Sequence, residues 1–230
     1  MKSLAAKFVT AALLLSASLP ATAATNELGW TLDSALTQLE RQTKDFKTAL
    51  ADVNASWTDE SGAVTRTAKG RIYINDDGTF RINVSEPEKK VILTTKNQVS
   101  EYDPVRALVD EYSLRKHKDR LEPFIRLGFT NSGKSLRDDF VLTLIGEDQI
   151  GTQRTLGLEL TPTRNEIRES VSRVQVWIDQ ASWMPVRLII EHVSSGETLT
   201  INFSGLARNL KLNPELFKDD WPKGTQKLKR

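Results

Sequence analysis

The sequence has no cysteine among its 230 residues and only two histidines. No disulfide can staple this fold and no thiolate can act as nucleophile or metal ligand, so a packed interior has to supply the stability. The missing cysteine also excludes a lipoprotein signal, because the acyl chains of a lipoprotein are attached to that residue. Neither sign of charge is in surplus, with 32 basic residues against 30 acidic ones. The chain therefore lacks the basic excess of a nucleic-acid binder. It has no Gly-x-Ser-x-Gly elbow, no His-Glu-x-x-His and no glycine-rich phosphate loop. Ser113 to Lys116 has the Ser-x-x-Lys spacing, but the partner motifs of that enzyme class do not follow, and so short a pattern recurs by chance. His117 sits in a charge run. His192 continues the parity of Val186, Leu188 and Ile190 to a strand end, where a partly buried structural histidine is commoner than a general base. The reading is a protein that is not an enzyme, with no cofactor and no metal site.

What is present begins at the N-terminus. Lys2 and Lys7 precede the apolar run Phe-Val-Thr-Ala-Ala-Leu-Leu-Leu-Ser-Ala-Ser-Leu, and small residues follow at 21–23. This is the pattern of a secretory signal peptide over 1–23, cleaved near Ala23. The run falls short of the roughly 20 residues that span a bilayer. Removing Lys2 and Lys7 from the 32 basic residues leaves 30, against 30 acidic, in a mature chain of about 207 residues. That length suits one domain, 24–230, soluble in the periplasm. The basic clusters at 115–120 and 227–230 read as a solvated face and a solvated tail.

One amphipathic helix opens the mature chain, with Thr31 as N-cap and Leu32, Ala35, Leu36, Leu39 and Phe46 near one face. Period-two alternation then dominates: Ala51, Val53, Ala55 and Trp57; Ile72 and Ile74; Phe80, Ile82 and Val84; Val91 and Leu93. Asp-Asp-Gly at 76–78 and Ser-Glu-Pro-Glu at 85–88 are hairpin turns. Leu121, Phe124, Ile125 and Leu127 predict one or two short helical turns ended by Gly128, with Pro123 restricting where they begin. Alternation resumes at Phe140, Leu142 and Leu144; Leu156, Leu158 and Leu160; Val174, Val176 and Ile178; Val186, Leu188 and Ile190; Leu199, Ile201 and Phe203.

These sets amount to about ten or eleven strands in a meander, a mainly antiparallel β fold with a few helices (α+β). Such a sheet buries one face by curling, which predicts an unclosed half β-barrel with helices covering its mouth. Periodicity does not decide between a packed interior, the commoner outcome, and a ligand cavity, since both use the same apolar residues. It also leaves open which parity of 98–102 faces inward, because Val99 and Tyr102 lie on opposite faces.

Several blocks together carry a family resemblance. Gly-Arg-Ile-Tyr-Ile at 70–74, Thr-Phe-Arg-Ile at 79–82, the Pro87 turn, Val91 to Pro104, Leu-Asn-Pro-Glu-Leu-Phe at 212–217 and Trp-Pro-Lys-Gly at 221–224 resemble LolA, the periplasmic outer-membrane lipoprotein carriers. Asp138 to Leu144 and the Trp177 to Arg187 hairpin resemble the wider lipoprotein-sorting relatives. The resemblance implies an unclosed barrel under a helical lid, whose lining takes the acyl chains of lipoproteins. It implies an inner-membrane LolCDE-type transporter as donor, an outer-membrane LolB-type receptor as acceptor, and a monomer. On this reading the lipid-binding residues are Val53, Trp57, Ile74, Phe80, Ile82, Val84, Val91, Leu93, Leu142, Leu158, Val176 and Leu188. A lipid- or lipoprotein-binding sensor of the RseB type, or a carrier of another lipid, is the alternative. One position departs from the family. Where LolA carries an Arg that bonds backbone carbonyls of the lid, this sequence has Asp76, followed by Asp77, and an ionised carboxylate has no donor to offer. The lid is then held by Arg81 or Arg71 from the adjoining strands, or rests more open.

Overall fold

The computed structural model describes residues 29–116, 124–125, 127–129 and 133–230. The expected signal peptide, the 117–120 part of the basic cluster with His117, and Leu121 and Pro123 lie outside the described residues. Helix α1 (Leu32–Thr43) starts where the sequence places it. Thr31 is extended at φ −100° and ψ 159°, and its Oγ1 accepts from the Ser34 N–H at 3.1 Å while Ser34 Oγ accepts from the Thr31 N–H at 2.9 Å. The two bonds satisfy donors that a helix start leaves without partners. Phe46 lies beyond the helix but still packs on the core.

The strands are β1 (Thr48–Thr58), β2 (Val64–Asn75), β3 (Phe80–Glu86), β4 (Lys90–Thr94), β5 (Gln98–Asp103) and β6 (Leu108–Ser113), then, after α2 (Gly133–Asp139), β7 (Phe140–Ile150) and β8 (Gln153–Pro162). Helix α3 (Asn165–Arg168) leads to β9 (Val171–Asp179), β10 (Pro185–His192), β11 (Thr198–Arg208), a 3-10 turn at Pro214–Phe217 and β12 (Gln226–Lys229). Among the described residues they form one 12-stranded sheet in the order β12-β6-β5-β4-β3-β2-β1-β11-β10-β9-β8-β7. β12 and β7 are its two edges, so the barrel is not closed. Every pairing is antiparallel except β12 on β6. The sequence expectation of ten or eleven strands missed β6 and β12. Asp110 and Glu111 break the apolar alternation of β6, and β12 has the composition of a solvated tail.

Residues directly opposite in an antiparallel ladder share a face. Following the pairs from Val53 to Phe203 and Gly70, Ile82 to Ile72 and Ile92, and Leu188 to Ile201 and Val176 traces one concave face through the sheet. Helix α1 buries Ala35, Leu36 and Leu39 in the same core, joined by Leu127, Phe129 and Leu136. Gly128 shows why the covering segment fits so closely. At φ +82° it adopts a backbone that favours glycine, and a Cβ there would come within 3.2 Å of both Val176 and Pro185.

The outer face of β3 to β6 is crossed by the C-terminal segment. Trp221 stacks on Tyr102 with centroids 5.2 Å apart, and Lys227 meets Glu111 at 3.3 Å. Arg230 binds Asp110 at 2.7 Å. Tyr102 therefore faces outward, whereas Val99 and Glu101, opposite Thr94 and Ile92, share the concave face.

Candidate functional site

Over β7 to β10 the concave face is filled by the helices and by residues 124–125 and 127–129. Over β11 and β1 to β5 it is packed at the β2–β3 turn end, by Ile74 and Phe80 among others, and hollow toward the end of the β1–β2 hairpin. The cavity there has a volume of about 580 Å³ and is walled by Val53, Ala55, Trp57, Ala68, Gly70, Ile82, Val84, Ile92, Leu199 and Ile201, with Ile125 reaching in from the covering segment. Side-chain size along β1 and β2 is the local cause. Ala55 stands opposite Ala68, and Val53 opposite Gly70, where larger pairs would fill the space. Gly70 has a reason of its own: a Cβ at this position would lie 2.5 Å from the Asn83 carbonyl oxygen, because a register shift at Lys69 and Gly70 brings the β3 backbone close.

Polar side chains gather at the end where the β1–β2 and β10–β11 hairpins turn. Arg66 lies over the Trp57 ring, 4.4 Å from its centroid, and its Nη2 donates to Glu197 Oε2 at 3.2 Å. Thr65 Oγ1 donates to the other Glu197 oxygen at 3.1 Å. His192 Nδ1 accepts from the Ser195 N–H at 3.2 Å and lies 3.0 Å from Ser195 Oγ. Accepting that backbone N–H ties Nδ1 to the hairpin turn and places the proton of the neutral ring on Nε2. Glu101 lines the opposite wall. Among the described residues no group of three or more His, Cys, Asp or Glu side chains is placed to hold a metal, and no helix is long and apolar enough to cross a membrane.

The residues expected to line the cavity divide into three sets. Val53, Trp57, Ile82 and Val84 line it. Ile74, Phe80, Leu142, Leu158, Val176 and Leu188 share the concave face but are buried within the packed core. Val91 and Leu93 are a correction: they stand opposite Asn83 and Arg81 on the outer face, where Leu93 is 1% exposed. In β4 the inward residue is Ile92. Val91, Ile92 and Leu93 are all apolar, so alternation carries no parity in this strand, and a one-residue slip flips every side chain. Sequence reasoning also missed Ala68 and Gly70, whose only signal is smallness at inward positions.

The two switch positions are also placed away from the covering helix. Asp76 is exposed in the β2–β3 turn, where Asp77 accepts from the Thr79 N–H at 2.8 Å. Arg81 lies on the outer face, donating to Asn83 Oδ1 at 2.8 Å and to the Leu216 carbonyl at 3.3 Å. Burial pulls its pKa below the usual arginine value. Arg71 pairs with Asp52 at 2.7 Å. Among the described residues, a guanidinium that does reach a carbonyl of the covering helix is that of Arg208, at the end of β11. It donates to Gln42 of α1 and to Trp183, each at 2.9 Å, and burial lowers its pKa too. The parity of Leu199, Ile201 and Phe203 places Arg208 outward, and only the register shift opposite Leu50 and Asp52 turns it inward, so the sequence carried no signal for it.

An open antiparallel sheet curled over an apolar cavity, its other half stopped by short helices, defines a half-barrel of the lipoprotein-binding and carrier class. The chain belongs to the family of outer membrane lipoprotein carrier protein LolA, whose model matches residues 44–220. No curated protein matches the chain at the sequence level. Among solved structures, a conserved protein from Thermus thermophilus is 14% identical with a TM-score of 0.55, over 86% of this chain and 98% of that one. A DUF1329 family protein from Desulfovibrio piger is 16% identical with a TM-score of 0.50, over 80% and 95%. At these identities the likeness is one of fold.

Proposed function

We propose that this protein is a periplasmic carrier that encloses the acyl chains of lipoproteins in the concave cavity and moves them from inner to outer membrane. The observation that carries the reading is the apolar hollow of about 580 Å³ beneath Ala55, Ala68 and Gly70, in a chain of the LolA family. Exposing acyl chain to water costs about 0.8 kcal/mol per CH₂, so a chain of about 16 carbons costs on the order of 12 kcal/mol. An apolar concavity removes that barrier without any chemical step. Residues 1–23 serve as the export signal, and 24–230 form the carrier domain. The lining of Val53, Trp57, Ile82 and Val84, with Ala55, Ala68, Ile92 and Ile201, contacts the chain. The family resemblance supplies a LolCDE-type donor and a LolB-type acceptor.

The test is mass spectrometry of the organic extract from protein purified out of the periplasmic fraction, with titration of a fluorescent fatty-acyl probe into the delipidated protein. Acylated species near one per protein and saturable probe uptake are expected. Protein that carries no lipid and takes up no probe overturns the proposal.

A further inference from the structure

The mouth of the cavity carries opposite charges that are paired with one another. Arg66 lies over the Trp57 ring, 4.4 Å from its centroid, and meets Glu197 at 3.2 Å, and the two side chains are 58% and 25% exposed. A pair so open to water adds little net stability, so a ligand that satisfies both partners can replace it at small cost. Arg66 also has five N–H donors and places one of them on Glu197. We infer that the cavity accepts phospholipids with zwitterionic heads, the acyl chain among the apolar side chains and the head inserted between Arg66 and Glu197. This rests on the reading that the cavity takes acyl chains.

The charge class follows from exchange. A phosphodiester accepts from the Arg66 guanidinium, and an ammonium on the same head donates to the Glu197 carboxylate, so two ion pairs replace one and no charge is left alone. An anionic head pairs with Arg66 but strands Glu197 beside it. A cationic head does the reverse. Lys69 and Glu101, of opposite charge, also line the cavity, and Lys69 is paired with Glu86 at 2.9 Å, so the Arg66 and Glu197 pair sets the charge class. Contact with the Trp57 ring restricts the Arg66 side chain, so less of its freedom is lost when the phosphate binds.

The experiment displaces a bound fluorescent fatty-acyl probe from the purified protein with lysophosphatidylethanolamine, lysophosphatidylglycerol and monoacylglycerol of one chain length. The zwitterionic lipid is expected to bind about tenfold more tightly than the anionic one. Glu197→Gln should remove that preference, whereas Arg66→Gln should weaken the zwitterionic lipid while leaving the anionic one disfavoured. Monoacylglycerol affinity should stay constant in both, and the double reversal Arg66→Glu with Glu197→Arg should restore the parent pattern. Equal affinity for all three heads, or tightest binding of the anionic lipid, overturns the head-group assignment and leaves the carrier reading standing. Failure of every lipid and of the probe itself overturns both.

Discussion

Replacing Arg208 with alanine tests what fastens α1 over the concave face. Its guanidinium bridges the Gln42 carbonyl in the last turn of α1 and the Trp183 carbonyl in the β9–β10 turn, both at 2.9 Å. The C-terminal end of a helix carries partial negative charge, so a cation there is favoured as well as hydrogen-bonded. Hydrogen bonds from a charged donor contribute about 1.5–3 kcal/mol each. The desolvation that lowers the Arg208 pKa opposes them, as does its Nε, buried with no partner among the described residues. The net loss for Arg208→Ala should be about 2–4 kcal/mol. At roughly 2–4 °C per kcal/mol for a chain of this size, the melting temperature should fall by about 5–15 °C. Arg208→Lys, a point charge that cannot fork across two carbonyls, should recover part of it. Amide hydrogen exchange distinguishes a fastening from a general weakening, because the α1 amides should exchange faster than those of β8 to β10. A fluorescent acyl probe should leave the cavity faster. A variant whose melting temperature stays within about 1 °C of the parent, with unchanged exchange in α1, would refute the reasoning.

Three further outcomes follow from the same geometry. Ala68→Phe fills the hollow opposite Ala55 and should abolish probe binding while the melting temperature stays within about 3 °C, read by probe titration and thermal unfolding. Ile92→Glu and Leu93→Glu separate the two faces of β4: the first places a carboxylate in a wet cavity and should lose the probe yet fold. The second buries one on the outer face and should cost about 3–5 kcal/mol by urea unfolding. Deleting 226–230 removes the partners of Asp110 and Glu111, whose side chains are 12% and 9% exposed, and should cost about 2–4 kcal/mol, with Asp110→Asn and Glu111→Gln restoring part of the loss.

The fold was legible wherever burial was one-sided. Leu199, Ile201 and Phe203 alternate cleanly because the other face of β11 is polar, and Thr31 with Ser34 is a local signal complete within one turn. Strand β6 was not legible, because its carboxylates are satisfied by Lys227 and Arg230, more than a hundred residues away in sequence. Strand β4 was legible as a strand but not in parity, since the C-terminal segment lies across its outer face and lets Leu93 be as apolar as Ile92. The site was legible in half. Val53, Trp57, Ile82 and Val84 announce themselves by hydrophobicity, while the hollow itself is made by Ala55, Ala68 and Gly70, which sequence patterns weigh least. Arg208 was not legible, because its contact with the Gln42 carbonyl appears only when β11 is set beside α1.

The question left open by periodicity, packed interior or cavity, has both answers in one sheet, and magnitude shows what the hollow half requires. The hollow of about 580 Å³ opens at its mouth, so water enters it past Arg66 and Glu197 when no guest is bound. Apolar surface left against that water costs about 25 cal/mol per Å² relative to burial. Along Val53, Ala55, Ile82 and Ile201 that water meets few polar partners, so its displacement by an apolar guest is favourable. The small residues of β1 and β2 thus lower the stability of the unliganded fold, and burying an acyl chain offsets the deficit.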